Sequence, residues 1–66
     1  MTMIRVMHVT FNAHARRREY QGNTIEFRGF LDAGFGDGFL TFEFPERRNE
    51  GFNLSTIDAY IYTEEE

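Results

Sequence analysis

In the stretch "TIEFRGFLDAGFGDGFLTFEF" (24–44), apolar residues return at every second position on both sides of a glycine-rich centre. A repeat of two is the period of a pleated strand, whereas a helix repeats every 3.6 residues, so this pattern commits the middle of the chain to β-structure. From Thr24 to Asp32, the residues Ile25, Phe27, Gly29 and Leu31 share one face. Thr24, Glu26, Arg28 and Asp32 take the other, interrupted by Phe30. From Phe39 to Phe44, Leu40, Phe42 and Phe44 oppose Thr41 and Glu43, and Pro45 closes the run.

Two such runs read as a hairpin, and its register can be tested pair by pair. Closing a loop over Ala33–Gly38 sets Asp32 opposite Phe39, Leu31 opposite Leu40, Gly29 opposite Phe42 and Phe27 opposite Phe44. Arg28 then meets Glu43, and every pair is compatible. A tight turn at Asp37-Gly38 keeps the same faces but sets Asp32 against Glu43, two like charges. The six-residue loop is therefore the predicted closure. Phe35, in mid-loop, either plugs the core or stands exposed as a recognition ring beside Asp37.

The same glycines are not a cofactor motif. Gly34, Gly36 and Gly38 give G-x-G-x-G, which lacks the dinucleotide spacing, and no helix-forming run follows to offer a positive end to a phosphate. Asp32 and Asp37 lack EF-hand spacing and the closing glutamate. No cofactor and no metal are predicted.

Three other stretches complete the outline. "MIRVMHVTF" (3–11) is apolar on both faces, as suits a strand buried between layers. "STIDAYIYT" (55–63) reads as a strand with Ile57, Ala59 and Ile61 inward and Asp58, Tyr60 and Tyr62 outward. Its competing helical reading is weakened by the Glu64–Glu66 run, which would lie at the negative end of the helix dipole. "NAHARRREYQGN" (12–23) fits either a short helical turn near residues 13–20 or a fifth strand, Arg16–Tyr20, turning at Gln21-Gly22-Asn23. "PERRNEGFNLS" (45–55) reads as a charged, mobile connector.

A chain of 66 residues without cysteine has neither disulfides nor a zinc knuckle to stiffen it. Its eight Phe and three Tyr must supply the core. The expected architecture is a single all-β domain over residues 1–66. Four or five antiparallel strands form a meander curling into a small barrel-like sheet, or pair as a homodimer, so that the second apolar face of 3–11 is covered. No apolar run approaches the roughly 18 residues of a membrane span, and the start "MTMIRVMHV" is too polar for a signal peptide, so a cytoplasmic location is expected.

Charge separates the function classes. All seven cations are arginine; residues 1–33 carry five arginines against three acids, a balance of +2, and residues 34–66 two against eight, a balance of −6. His8 and His14 are the only histidines, and neither has a nucleophile and orienting group at a recognisable spacing. A domain this small is also not expected to enclose a ligand-sized pocket, so no enzyme is predicted. Asp58, Tyr60, Tyr62 and Glu64 alternate along the last strand, continued by Glu65 and Glu66, as a row of acids and phenols suited to a basic surface on a protein or nucleoprotein complex. In size and charge the chain is similar to the small acidic inhibitors that phages and mobile elements direct at host nucleases and defence complexes, which implies a non-enzymatic blocking role in a host cytoplasm. The alternative is a small single-stranded nucleic-acid-binding barrel using Arg16, Arg17, Arg18, Tyr20 and exposed aromatics. The net charge of −4 weighs against it.

Overall fold

The computed structural model describes residues 3–66; Met1 and Thr2, part of the segment read as non-secretory, lie outside the described residues. Six strands appear in chain order: β1 (Ile4–Phe11), β2 (Thr24–Arg28), β3 (Asp32–Gly36), β4 (Phe39–Glu43), β5 (Glu50–Asn53) and β6 (Ile57–Glu65). They pair antiparallel into two three-stranded sheets, β2-β1-β6 and β3-β4-β5. The all-β expectation holds. The strand count rises to six, because β5 is a four-residue strand inside the stretch read as a mobile connector. Neither a single meander nor a barrel forms: β6 returns beside β1, and among the described residues no strand pairing joins the two sheets. The apolar faces are covered by laying one sheet on the other instead.

Gly29 is where the chain changes sheets. Its φ of +73° is a left-handed conformation that side-chain-bearing residues adopt only at a cost, and its N–H donates to the Arg5 carbonyl at 3.0 Å. The run 24–32 therefore breaks after Arg28 instead of continuing as one strand. β2 pairs with β1, setting Met7 opposite Phe27 and Val9 opposite Ile25. Beyond Gly29 and Phe30, β3 starts a second sheet.

The loop expected over Ala33–Gly38 is correspondingly a strand and a tight turn. Asp37 (φ +52°) and Gly38 (φ +80°) both sit in the left-handed region, the two-residue turn whose twist matches that of antiparallel strands. Gly36 thus faces Phe39, Phe35 faces Leu40, and Asp32 faces Glu43. The like-charge pair rejected on sequence is present. Both residues are exposed, where water weakens the repulsion, and turn geometry outweighs it.

Between the sheets lies an aromatic core. Met7, Val9 and Phe11 from β1 and Phe27 from β2 face Leu40 and Phe42 from β4, with Ala15, Phe30 and Phe44 closing the ends. Phe27 stacks on Phe42 across the layers with centroids 4.6 Å apart, and Phe11 meets Phe52 edge-on at 5.2 Å. Fully burying a ring of this size contributes roughly 1.5–3 kcal/mol. Val6 is buried on the opposite face of β1, outside that core. Arg28, its partner on β2, reaches Glu65 on β6 at 2.6 Å, so an ion pair spans β1 on the face where Val6 lies. This explains the apolar character of both faces of residues 3–11. On the same face, His8 lies 3.2 Å from the Glu26 carboxylate.

The segment 12–23 forms no fifth strand. It makes a single 3-10 turn, Arg18–Tyr20, within the range read as a possible helical turn. Asn12, which the sequence reading passed over, ties this segment down. Its N–H donates to the Thr56 carbonyl at 2.9 Å, its side-chain amide to the Ser55 carbonyl at 2.9 Å, and its side-chain oxygen accepts from the His14 N–H at 2.8 Å.

Candidate functional site

β6 is a strand, as read, but its two faces are exchanged. The cause is one extra residue: Phe11 pairs with Ile57 and Thr10 with Ala59, leaving Asp58 as a bulge. Ile57 starts on the core side as expected. Past Asp58 the alternation slips by one, setting Tyr60 opposite Val9 and Tyr62 opposite Met7, on the inner face of the sheet. Ile61 lies opposite His8 on the outer face and is 64% exposed. The tyrosines are not sealed in, because β6 lies at the sheet edge: Tyr60 remains 51% and Tyr62 44% exposed.

The backbone of that edge has a definite polarity. Along β1 the Phe11 N–H and the Arg5 carbonyl bond towards the β2 side, whereas the N–H of Asn12, next in line, bonds to Thr56 at the start of β6. Alternation then assigns Val6, His8 and Thr10 to bonding with β6, and their partners there are Thr63, Ile61 and Ala59. The N–H and C=O groups of Tyr60, Tyr62 and Glu64 consequently point away from β1. Among the described residues no strand pairs with them.

Side chains along this edge divide into committed and available groups. Glu65 is held by Arg28, whose hydrogen bonds to Glu65 and Glu26 raise its pKa from the ordinary guanidinium value. The Tyr62 hydroxyl donates to Glu64 at 2.8 Å, and that hydrogen bond, with partial desolvation, raises the phenol above the usual tyrosine range. Tyr62 therefore stays a neutral donor at neutral pH. Asp58 accepts a long 3.4 Å bond from the Asn12 amide and remains exposed, as does Glu66.

Phe35 resolves between its two expected roles. It is 48% exposed on β3, with its ring 5.0 Å from that of Tyr60. Phe35, Asp58 and Tyr60 line one shallow depression of about 450 Å³. Asp37 lies at the turn tip and shares a second depression with Phe35, apart from Asp58 and Tyr60.

The arginine segment builds a second feature. Arg16, Arg17 and Tyr20 line an open cleft of about 490 Å³ together with His14, Phe39 and Phe52. The 12–23 segment is held by Asn12 and touches β5 through Tyr20, whose ring lies 5.9 Å from that of Phe52. Arg17 caps the Tyr20 ring at 5.3 Å and donates to its hydroxyl at 3.2 Å, while its other terminal nitrogen lies 3.9 Å from Glu50. Arg18, in the 3-10 turn, does not line the cleft.

Among the described residues, no group of three or more His, Cys, Asp or Glu side chains is placed to hold a metal ion, and no helix is long and apolar enough to cross a membrane. No protein-family model, curated protein or solved structure matches the chain.

Proposed function

We propose that this protein is a non-enzymatic binding module that presents the open edge of β6 to a basic segment of a protein partner and thereby blocks that surface. The observation that carries the reading is a nine-residue strand, Ile57–Glu65, left unpaired along one side among the described residues while flanked by exposed rings and acids. Open edges are templates for pairing, and stable proteins ordinarily shorten, cover or charge them. Here Asp58 charges one end and the terminal glutamates the other, and Ala59–Thr63 between them carries no charge. An incoming extended segment can bond to the outward backbone groups of Tyr60, Tyr62 and Glu64, with Tyr60 and Tyr62 supplying area at low entropic cost.

Electrostatics specifies the occupant. Glu65 is spent on Arg28, so Asp58, Glu64 and Glu66 are the carboxylates that meet the partner, and arginine or lysine on alternate partner residues complements them. Self-pairing would bring two chains of net charge −4 together. An inhibitor of the phage or mobile-element kind, covering a groove that otherwise holds nucleic acid, is the biological role that suits such a surface.

The test uses two synthetic probes, an alternating arginine–valine octapeptide and its glutamate–valine counterpart. At low salt the basic peptide should shift the amide resonances of Tyr60, Tyr62 and Glu64. Glu64→Gln with Glu66→Gln should weaken it by about tenfold, the loss expected for charge-assisted contacts. Equal binding of both peptides, unchanged binding by the neutralised variant, or a concentration-dependent dimer that excludes the peptide would refute the proposal.

A further inference from the structure

We infer that the cleft between the 12–20 segment and β5 is a nucleotide site, taking a planar base together with its phosphate. This rests on the cleft alone and is independent of the β6 edge. Its volume, about 490 Å³, falls within the roughly 300–1,000 Å³ range of small-ligand sites. Its lining carries the cations Arg16 and Arg17 and no carboxylate. Glu50, outside the lining, lies 3.9 Å from Arg17 and is shared with Arg47 at 3.4 Å. Arg16 forms no ion pair among the described residues, so its guanidinium fork is available to a phosphate.

The rings of the cleft have different tasks. Tyr20 is closed on both faces, stacked on Phe11 at 5.1 Å and capped by Arg17 at 5.3 Å, so it serves as a support. Arg17 is tied to the Tyr20 hydroxyl and to Glu50, which leaves Arg16, among the described residues of the lining, as the cation free to meet a ligand. Phe39 is 47% exposed and is the lining ring with an uncovered surface. A base stacks on Phe39 while its phosphate meets Arg16, an arrangement in which ring and charge are both needed. This chemistry comes equally from a free nucleotide and from one unit of a single strand.

The experiment follows the ring resonances of Tyr20, Phe39 and Phe52 during titration with AMP, adenosine, inorganic phosphate and hexadeoxyadenylate at low salt. AMP is expected to bind more tightly than either of its parts. Arg16→Gln should reduce AMP affinity about tenfold, to the level of adenosine. Phe39→Ala should reduce it by a similar factor, to the level of phosphate. Both positions are exposed, and unchanged core amide shifts will verify that each variant is folded. Hexadeoxyadenylate displacing AMP at lower concentration identifies a strand as the source; AMP binding as tightly or more so identifies a free nucleotide. Adenosine binding as well as AMP, AMP affinity indifferent to both substitutions, or no shift with any probe would overturn the inference.

Discussion

Phe42→Ala is expected to destabilise the protein by about 3–5 kcal/mol, the range for removing a fully buried ring. Phe42 is completely buried, stacked on Phe27 and meeting Phe30 at 5.0 Å and Phe52 at 6.3 Å, so it is where the rings of both sheets converge. For a chain of 66 residues the total stability is on the order of 3–10 kcal/mol, so a loss of this size removes a large share of it and lowers the urea midpoint steeply. Phe39→Ala, on the same strand but on the outer face, should cost no more than about 0.5 kcal/mol. Urea melts followed by circular dichroism measure both. Equal losses at the two positions would mean that the faces of β4 are assigned wrongly.

Gly29→Val carries the second large effect, and its sign is as informative as its size. A valine at φ +73° must occupy the left-handed region, which costs an L-residue about 1–2 kcal/mol and a β-branched one at least that. No atom lies within 4 Å of the position its Cβ would take, so the loss is torsional and not a clash. If residues 24–32 instead ran as one uninterrupted strand, valine would replace a poor strand former with a good one and raise stability. A lowered urea midpoint supports the sheet change at Gly29, and a raised midpoint contradicts it.

These two positions also show what the sequence made legible. Alternation exposed β2 and β4 and identified Phe27, Phe42 and Phe44 as core residues, because burial on one face of a sheet leaves a period of two. It could not show that the alternation passes through a change of sheet at Gly29, since glycine satisfies either face of a strand and a left-handed corner equally well. The turn at Asp37-Gly38 is legible in its residue types; the like-charge pair Asp32 and Glu43 argues against it on sequence, and turn geometry outweighs that pair because both residues are exposed. At the candidate site, the strand character of 57–65 and its phenols and acids were legible. Their orientation was not, because it hangs on a single bulged residue, Asp58, whose pairing depends on β1 more than forty positions earlier. Arg28 and Glu65 likewise meet only because β1 lies between their strands. For the cleft, the arginines and Tyr20 were visible as a cluster, whereas Phe39 and Phe52 reach it only through tertiary packing.

Among the described residues β6 is bonded to β1 along one side and to no strand along the other, and the proposed binding surface depends on that open side. Residue-resolved amide hydrogen exchange of the free protein reads this directly. The amides of Ala59, Ile61 and Thr63 should be protected and those of Tyr60, Tyr62 and Glu64 should exchange markedly faster, with protection of the second set appearing on addition of the basic peptide. Uniform protection from Ala59 to Glu64 in the free protein would show that the edge is already occupied, and the proposed binding surface would be lost with it.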